Sequence, residues 1–233
     1  MLAALAVIET RGAADPLVPP RLLRSRAIGL GNVLMLLAGG CFQVPMWYFL
    51  TLYMQDGLGY SALETGLGFL PHTLLTMLVG LQVTPRLMRR ADDRVLVAAG
   101  SAVAAAGFLW QSAVAADGGG TYAGDVLGPA VLVSVGGGLL NTPLTTTVTA
   151  GVAGADAGAA SGLLNTAKQV GGAVGLAVLA AATGTHGAAF LAMAVMLGVV
   201  AAASRALPAR RDAPPPPDVP GRSGQPSAGS RRY

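Results

Sequence analysis

The stretch Ala160–Val178, ASGLLNTAKQVGGAVGLAV, is apolar enough to cross a membrane, yet it carries a lysine near its middle. Lys168 is the only lysine of the chain. On an α-helix, Leu163, Val170 and Val174 fall on one half, whereas Lys168 falls on the other half with glycine, serine, threonine, asparagine and glutamine. One face of this helix therefore suits lipid and the other is small and polar, which predicts a helix within a membrane bundle.

The composition of the whole chain indicates the same class of protein. Of the 233 residues, 53% are hydrophobic and 11% are charged, whereas soluble globular proteins carry about 25% charged residues. We therefore predict an all-α membrane protein with a six-helix transmembrane bundle over residues 27–204. A membrane-spanning helix takes about 20 apolar residues, and six such runs occur, at about 27–50, 64–84, 95–116, 126–149, 158–182 and 187–204.

The arginines predict how the bundle is oriented. They cluster before the first run, between the second and third, and after the sixth, while connections 51–63, 117–125 and 183–186 contain no Lys or Arg. Because cytoplasmic loops are enriched in Lys and Arg, we expect both termini to be cytoplasmic. The net charge of +4 then reflects topology and predicts no nucleic-acid partner. The richness in Arg, Ala and Gly is typical of a GC-rich bacterial genome, so the expected location is a bacterial plasma (inner) membrane.

The two ends of the chain are expected to lie outside the bundle. Residues 1–26 are predicted to be the end of a preceding helix, MLAALAVI, followed by a cytoplasmic linker. Residues 205–233 are rich in Pro, Gly, Ser and Arg and contain almost no bulky apolar residue. Such a composition cannot bury a core, which predicts a disordered cytoplasmic tail.

The distribution of polar residues over the six runs predicts a cavity. The first, second, fourth and fifth runs contain polar residues, whereas the third and sixth are almost purely apolar. A cavity lined by the first, second, fourth and fifth runs, with the third and sixth outside it, would give every helix a suitable environment. The candidate cavity residues are Gln43, His72, Asn141, Thr142, Asn165, Lys168 and Gln169.

Several of these residues admit two interpretations. A lysine at mid-membrane costs on the order of 3 kcal/mol. Lys168 either faces a watery pathway or is a structural charge satisfied by backbone carbonyls or by a carboxylate of another helix. His72 is either a hydrogen-bonded packing residue or a proton relay. Trp47, Tyr48 and Tyr53, near the outer end of the first run, are most simply explained as an interfacial aromatic belt.

Small residues and one proline predict how the helices pack. Gly158 with Gly162, and Gly171 with Gly175, are pairs of small residues four apart that allow a neighbouring helix to approach closely. Pro143, within the fourth run, predicts a kink whose freed carbonyl groups need other partners.

Signatures of enzymes are absent from the sequence. It contains no GxxxxGK, HExxH or GxSxG pattern, and His72 and His186 have no metal-ligand residues nearby in sequence. We therefore predict no enzyme, no metal and no other cofactor. No acidic residue lies in the middle of an apolar run, which limits a proton-transport hypothesis because proton coupling usually needs a membrane-embedded carboxylate.

Two long motifs in register resemble one transporter family. LYMQDGLGYSALETGLGFLP (Leu52–Pro71) resembles the LYLQ…GYSPLQAGLAFLP signature of the fourteen-helix drug:proton antiporters, a multidrug efflux family of the major facilitator superfamily. GAASGLLNTAKQVGGAVGLAVL (Gly158–Leu179) resembles their penultimate helix, in which Arg or Lys commonly occupies the position of Lys168. GGGLLNTPLTTT and ADPLVPPRLLRSR are similar to the family less specifically. The resemblance extends over about residues 9–204.

The resemblance implies that the six runs form the C-terminal bundle of a major facilitator fold. In that fold the first, second, fourth and fifth helices of each half face the central cavity. The implied function is the C-terminal half of a proton-coupled efflux transporter, with cations or amphipathic drug-like compounds and protons as its substrates. The N-terminal six-helix bundle would then be missing and supplied in cis or in trans.

Two other functions remain open. The chain could be a non-transporting membrane subunit whose small-residue faces dock a partner. It could also be a non-functional transporter fragment, whose polar face would then meet lipid.

Overall fold

The computed structural model describes residues 25–117, 121–150, 152 and 156–207. These residues contain helices and no strand. Most of the predicted N-terminal segment, 1–24, and the predicted tail after Leu207 lie outside the described residues. The first residues of the predicted tail are ordered: Arg205 and Ala206 belong to a 3-10 turn that begins at Ser204, and Leu207 is only 2% exposed.

Six helices of the described residues are long and apolar enough to cross a membrane, which confirms the predicted all-α fold. We number them in chain order: α1 Arg26–Gly57, α2 Ala62–Leu87, α3 Asp93–Asp117, α4 Tyr122–Thr149, α5 Ala157–Ala182 and α6 His186–Ala206. α1 continues past the predicted end at residue 50, because Tyr53–Gly57 extend it as a π-helical turn.

Two of the six helices are interrupted within the membrane. In α1, an α-helix Arg26–Phe42 ends, and a second segment begins at Pro45 and runs to Leu52. Proline has no N–H to donate and its ring clashes with the preceding turn, which accounts for the break. In α2, a π-helical turn over Val79–Val83 separates the α-helical segments Leu70–Leu78 and Thr84–Leu87.

Helix ends are fixed by local hydrogen bonds. Ser61 and Glu64 form a reciprocal capping box at the start of α2, in which each side chain accepts from the backbone N–H of the other residue. The Thr121 and Thr185 hydroxyls accept from backbone N–H groups at the starts of α4 and α6. These side chains satisfy donors that a helix N-terminus leaves unpaired.

The most extensive helix contacts join α3 to α4, α3 to α6, and α1 to α5. In the α1–α5 seam the helices meet backbone to backbone. A Cβ atom built on Gly175 would lie 2.6 Å from the Cα of Gly40, and one on Gly171 would collide with the carbonyl oxygen of Leu36. Small residues permit this close approach in membranes, where packing replaces the hydrophobic effect as the driving force.

The glycine pairs predicted for packing differ in their surroundings. Gly171 and Gly175 lie in the α1–α5 seam, whereas a Cβ atom on Gly158 or Gly162 would meet nothing within 4 Å among the described residues. Pro143 lies inside α4 and is buried. After it, three consecutive threonines of α4 donate to carbonyls four residues earlier, at Asn141, Thr142 and Pro143.

α2 packs mainly against α4. The buried Thr84 hydroxyl donates to the carbonyl of Gly138 across 2.9 Å, and the Tyr122 hydroxyl donates to the carbonyl of Gly68 across 2.8 Å. The remainder of α2 is largely uncovered, with Leu63, for example, 73% exposed. α2 is therefore the most loosely held of the six described helices.

Candidate functional site

The break in α1 lies where α1, α2, α4 and α5, the four helices with polar faces, converge. The α-helical hydrogen bonding of the first segment ends with Gln43 N–H donating to the carbonyl of Gly39, and Pro45 starts the next segment. Gln43 is half-buried against α5, so that a Cβ atom on Gly172 would lie 2.9 Å from the Cβ of Gln43. Irregular backbone at this depth is tolerated where it is buried in protein or lines a cavity.

A cavity of about 170 Å³ opens beside this break. Side chains of α1, α2, α4 and α5 line it, and no lining residue comes from α3 or α6 among the described residues. The helices that line the cavity are thus the four whose sequences are richest in polar residues. The lining residues are Met35, Ala38, Gly39, Phe42, Gln43, Met46, Trp47, His72, Thr76, Val133, Gly137, Leu140, Asn141 and Lys168.

Four of the candidate residues from the sequence are brought together here: Gln43, His72, Asn141 and Lys168. The other three candidates do not line this cavity. Thr142 is half-buried in α4, and its carbonyl accepts from the Thr146 hydroxyl. Asn165 and Gln169 lie on the exposed surface of α5.

His72 is held by contacts with two other helices. Its Nδ1 atom lies 2.7 Å from the Ser134 hydroxyl of α4, and that hydroxyl also lies 2.6 Å from the carbonyl of Ala130. A hydroxyl has one proton and two lone pairs, so it can donate to Ala130 while Nδ1–H donates to it. The indole ring of Trp47 meets the imidazole edge to face, with ring centres 5.3 Å apart.

Lys168 lies near the middle of α5 and is half-buried. Its backbone carbonyl faces Gly39 of α1, which places the lysine at the edge of the glycine seam. Within the described residues its ammonium group has no carboxylate within 4.0 Å and no hydrogen-bond partner. The interpretation of Lys168 as a structural charge needs a carboxylate or carbonyl partner. No such partner is found in the described part of the chain.

Comparison with known proteins decides the family. Residues 5–176 match the family model described as Major Facilitator Superfamily. The chain belongs to the major facilitator superfamily. This is a family of transporters and not a class of enzymes.

Three relatives of this chain are named for antibiotic export or resistance. The cephamycin export protein CmcT of Amycolatopsis lactamdurans is 52% identical over 227 residues, which cover 92% of this chain and 46% of CmcT. The puromycin resistance protein pur8 of Streptomyces alboniger is 35% identical over 82% of this chain and 38% of its own length. The tetracenomycin C resistance and export protein of Streptomyces glaucescens is 35% identical over 72% and 30%. The chain spans less than half the length of each of these relatives.

The sequence-based assignment of Trp47 and Tyr53 to an interfacial aromatic belt was wrong. Trp47 lines the cavity, and its ring contacts both His72 and Phe69. Tyr53 is 3% exposed, and its hydroxyl donates to the Asp125 carboxylate across 3.3 Å. The signal for Trp47 was Pro45, because a proline break close to mid-helix marks irregular backbone that needs a cavity or a protein partner.

Ser134→Ala should destabilise the bundle by about 1–2 kcal/mol, because His72 Nδ1 would lose its hydrogen-bond partner while the imidazole stays buried. Ser101→Ala is the matched control. Ser101 and Ser134 are both 0% exposed, but the Ser101 hydroxyl has no hydrogen-bond partner among the described residues. We expect Ser101→Ala to be neutral or stabilising in thermal unfolding of the detergent-solubilised protein. Equal effects of the two substitutions would contradict the role given to Ser134.

Proposed function

We propose that this chain is the C-terminal six-helix half of an exporter of small amphipathic compounds in a bacterial inner membrane. In this proposal both ends of the bundle are cytoplasmic, a second six-helix bundle in the same polypeptide or in a partner chain completes the cavity, and proton entry drives export. The relatives named for antibiotic export or resistance support the proposal. Their names suggest antibiotics as the compounds exported.

One observation carries the proposal: the polar surface of α5 continues outward from the cavity. Lys168 lies in the cavity, and Asn165, Thr166 and Gln169 are exposed beside it. The opposite flank of α5, including Val174 at 51% exposure, is apolar and suits lipid. Amide side chains at mid-helix are costly against lipid and normally face a bundle interior or a watery cavity. A second bundle on this side would cover them.

Orientation is supported by the arginines of the described residues. Arg86, Arg89, Arg90 and Arg94 lie around the α2–α3 connection, and Arg205 lies in the last turn of α6, which packs against α3. These positive charges gather at one end of the bundle. The positive-inside rule assigns that end to the cytoplasm.

A segment exchange tests export. The matching part of the cephamycin export protein is replaced by this chain, and the chimera is produced in a bacterial host whose own efflux pumps are deleted. Lower cell accumulation of a labelled antibiotic than in cells with an empty vector is expected, together with loss of that difference when a protonophore collapses the proton gradient. The chain expressed alone is the control and should leave accumulation unchanged.

Three outcomes, from this assay and from the unmodified chain, separate the alternatives. A chimera that inserts into the membrane but leaves accumulation at the empty-vector level would contradict export. Co-purification of the unmodified chain with an unrelated membrane protein at fixed stoichiometry would favour a non-transporting subunit, and rapid degradation of the chain without a partner would favour a fragment.

A further inference from the structure

The cavity has an unbalanced charge. Among the described residues that line it, Lys168 is the one formally charged side chain, and none is Asp or Glu. The acidic residues that the structure describes lie at helix ends or in connections: Asp56, Glu64, Asp92, Asp93, Asp117, Asp125 and Asp156. In the described part of the chain, the cavity therefore presents one ammonium group and no acidic side chain to balance it.

Hydrogen-bond donors accompany the lysine. The Gln43 and Asn141 amides line the same cavity and have no side-chain partner among the described residues. The buried Thr76 hydroxyl also lines it and likewise has no partner among them. An ionised carboxylate accepts hydrogen bonds at both oxygens and donates none, so ammonium, amide N–H and hydroxyl groups together match its needs.

Apart from His72, the rest of the lining is apolar and aromatic. Phe42 and Trp47 contribute ring surfaces, and Met35 and Met46 contribute adaptable thioether chains. Methionine suits binding surfaces that receive ligands of varied shape. A ligand with one anionic end and one aromatic or alkyl body would use both parts of the cavity.

We propose that the cavity selects amphipathic organic anions that carry a carboxylate, with the Lys168 ammonium as the charge that selects them. This deepens the export function proposed above and rests on it. A fixed positive charge in a poorly solvated cavity attracts an anion and repels a cation more strongly than it would in water. Cationic amphiphiles are accordingly the disfavoured class at this half of the site.

Binding of three probes of one shape tests the selection directly. The probes are 3-phenylpropionate, 3-phenylpropan-1-ol and 3-phenylpropylamine, which differ in charge at neutral pH. The chain has two tryptophans, Trp47 and Trp110, so Trp110→Phe leaves the cavity tryptophan as the fluorescent reporter. The 233-residue chain is placed in nanodiscs of zwitterionic lipid at fixed ionic strength, and each probe is titrated.

We expect phenylpropionate to bind at least tenfold more tightly than phenylpropylamine, with the alcohol between them. Lys168→Glu should reverse that order, Lys168→Gln should flatten it, and Lys168→Arg should keep it. Ser161→Glu is the matched control, because it places the same glutamate side chain at an exposed position near the start of α5, outside the cavity. It should leave the order unchanged.

Three outcomes of these titrations would overturn the proposal. An amine that binds as tightly as the carboxylate, an order that Lys168→Glu leaves unchanged, or no emission change with any probe would each contradict it. The wild-type order decides the matter even if Lys168→Glu fails to fold. Anion-selective binding together with a chimera that exports nothing would refute the proposed function and leave the selectivity standing. Export limited to cations would refute the selectivity and leave the proposed export function standing.

Discussion

Gly171→Val should prevent α1 and α5 from packing and should destabilise the bundle by about 3 kcal/mol or more. The first atom of the new side chain would collide with the carbonyl oxygen of Leu36, which is backbone and cannot turn away as a side chain could. Overpacking typically costs about 1–3 kcal/mol where side chains can adjust, so a backbone obstacle gives the upper end of that range or beyond. Thermal unfolding of the protein in detergent measures the loss.

Gly162→Val provides a matched control for this prediction on the same helix. A Cβ atom on Gly162 meets nothing within 4 Å among the described residues, and the change in helix propensity is the same for both substitutions. The control should unfold within about 0.5 kcal/mol of the parent, as surface substitutions usually do. Similar losses for both variants would show that the α1–α5 seam is not the cause.

Lys168→Ala should reduce export by the chimera described above at least about tenfold without reducing the amount of protein in the membrane. Truncating one member of a desolvated charge pair costs roughly 2–5 kcal/mol of binding energy, and the proposed substrate would lose its counter-charge. Membrane abundance should hold, because removing a charge from mid-helix favours insertion. Labelled substrate accumulation, normalised to the amount of chimera in the membrane, measures the effect.

Lys168→Arg is the companion variant for this second prediction. It keeps the positive charge at the same position, so we expect it to retain most of the export that Lys168→Ala loses. Unchanged export in Lys168→Ala, at equal membrane abundance, would remove Lys168 from the proposed site. Equal loss in both variants would show that the shape of the side chain matters and its charge does not.

Helix number and helix polarity could be predicted from the sequence because both depend on local composition. An apolar run of about 20 residues satisfies its own backbone hydrogen bonds and can cross lipid without help from the rest of the fold. Lys168, His72 and Gln43 interrupt such runs near their middles, which made them visible as exceptions. Their convergence on one cavity follows from the same rule, since each polar group needs an environment other than lipid.

The rotation of each helix could not be predicted in the same way, because neighbouring helices determine it. Asn165 and Gln169 share a polar face with Lys168 on a helical projection, yet they lie outside the cavity. Gly162 and Gly171 occur in equivalent motifs, and only Gly171 meets another helix among the described residues. Trp47 was assigned to an interface by its position alone, whereas the break at Pro45 places it in the cavity.

The glycine seam between α1 and α5 has a mechanical consequence. Side chains that interdigitate can change rotamer and let two helices slide, but facing backbones have no such adjustable parts. We therefore expect α5 and the first segment of α1 to move together. Bending of the bundle is then expected at Pro45, where α1 is interrupted, and in α2, which packs mainly against α4.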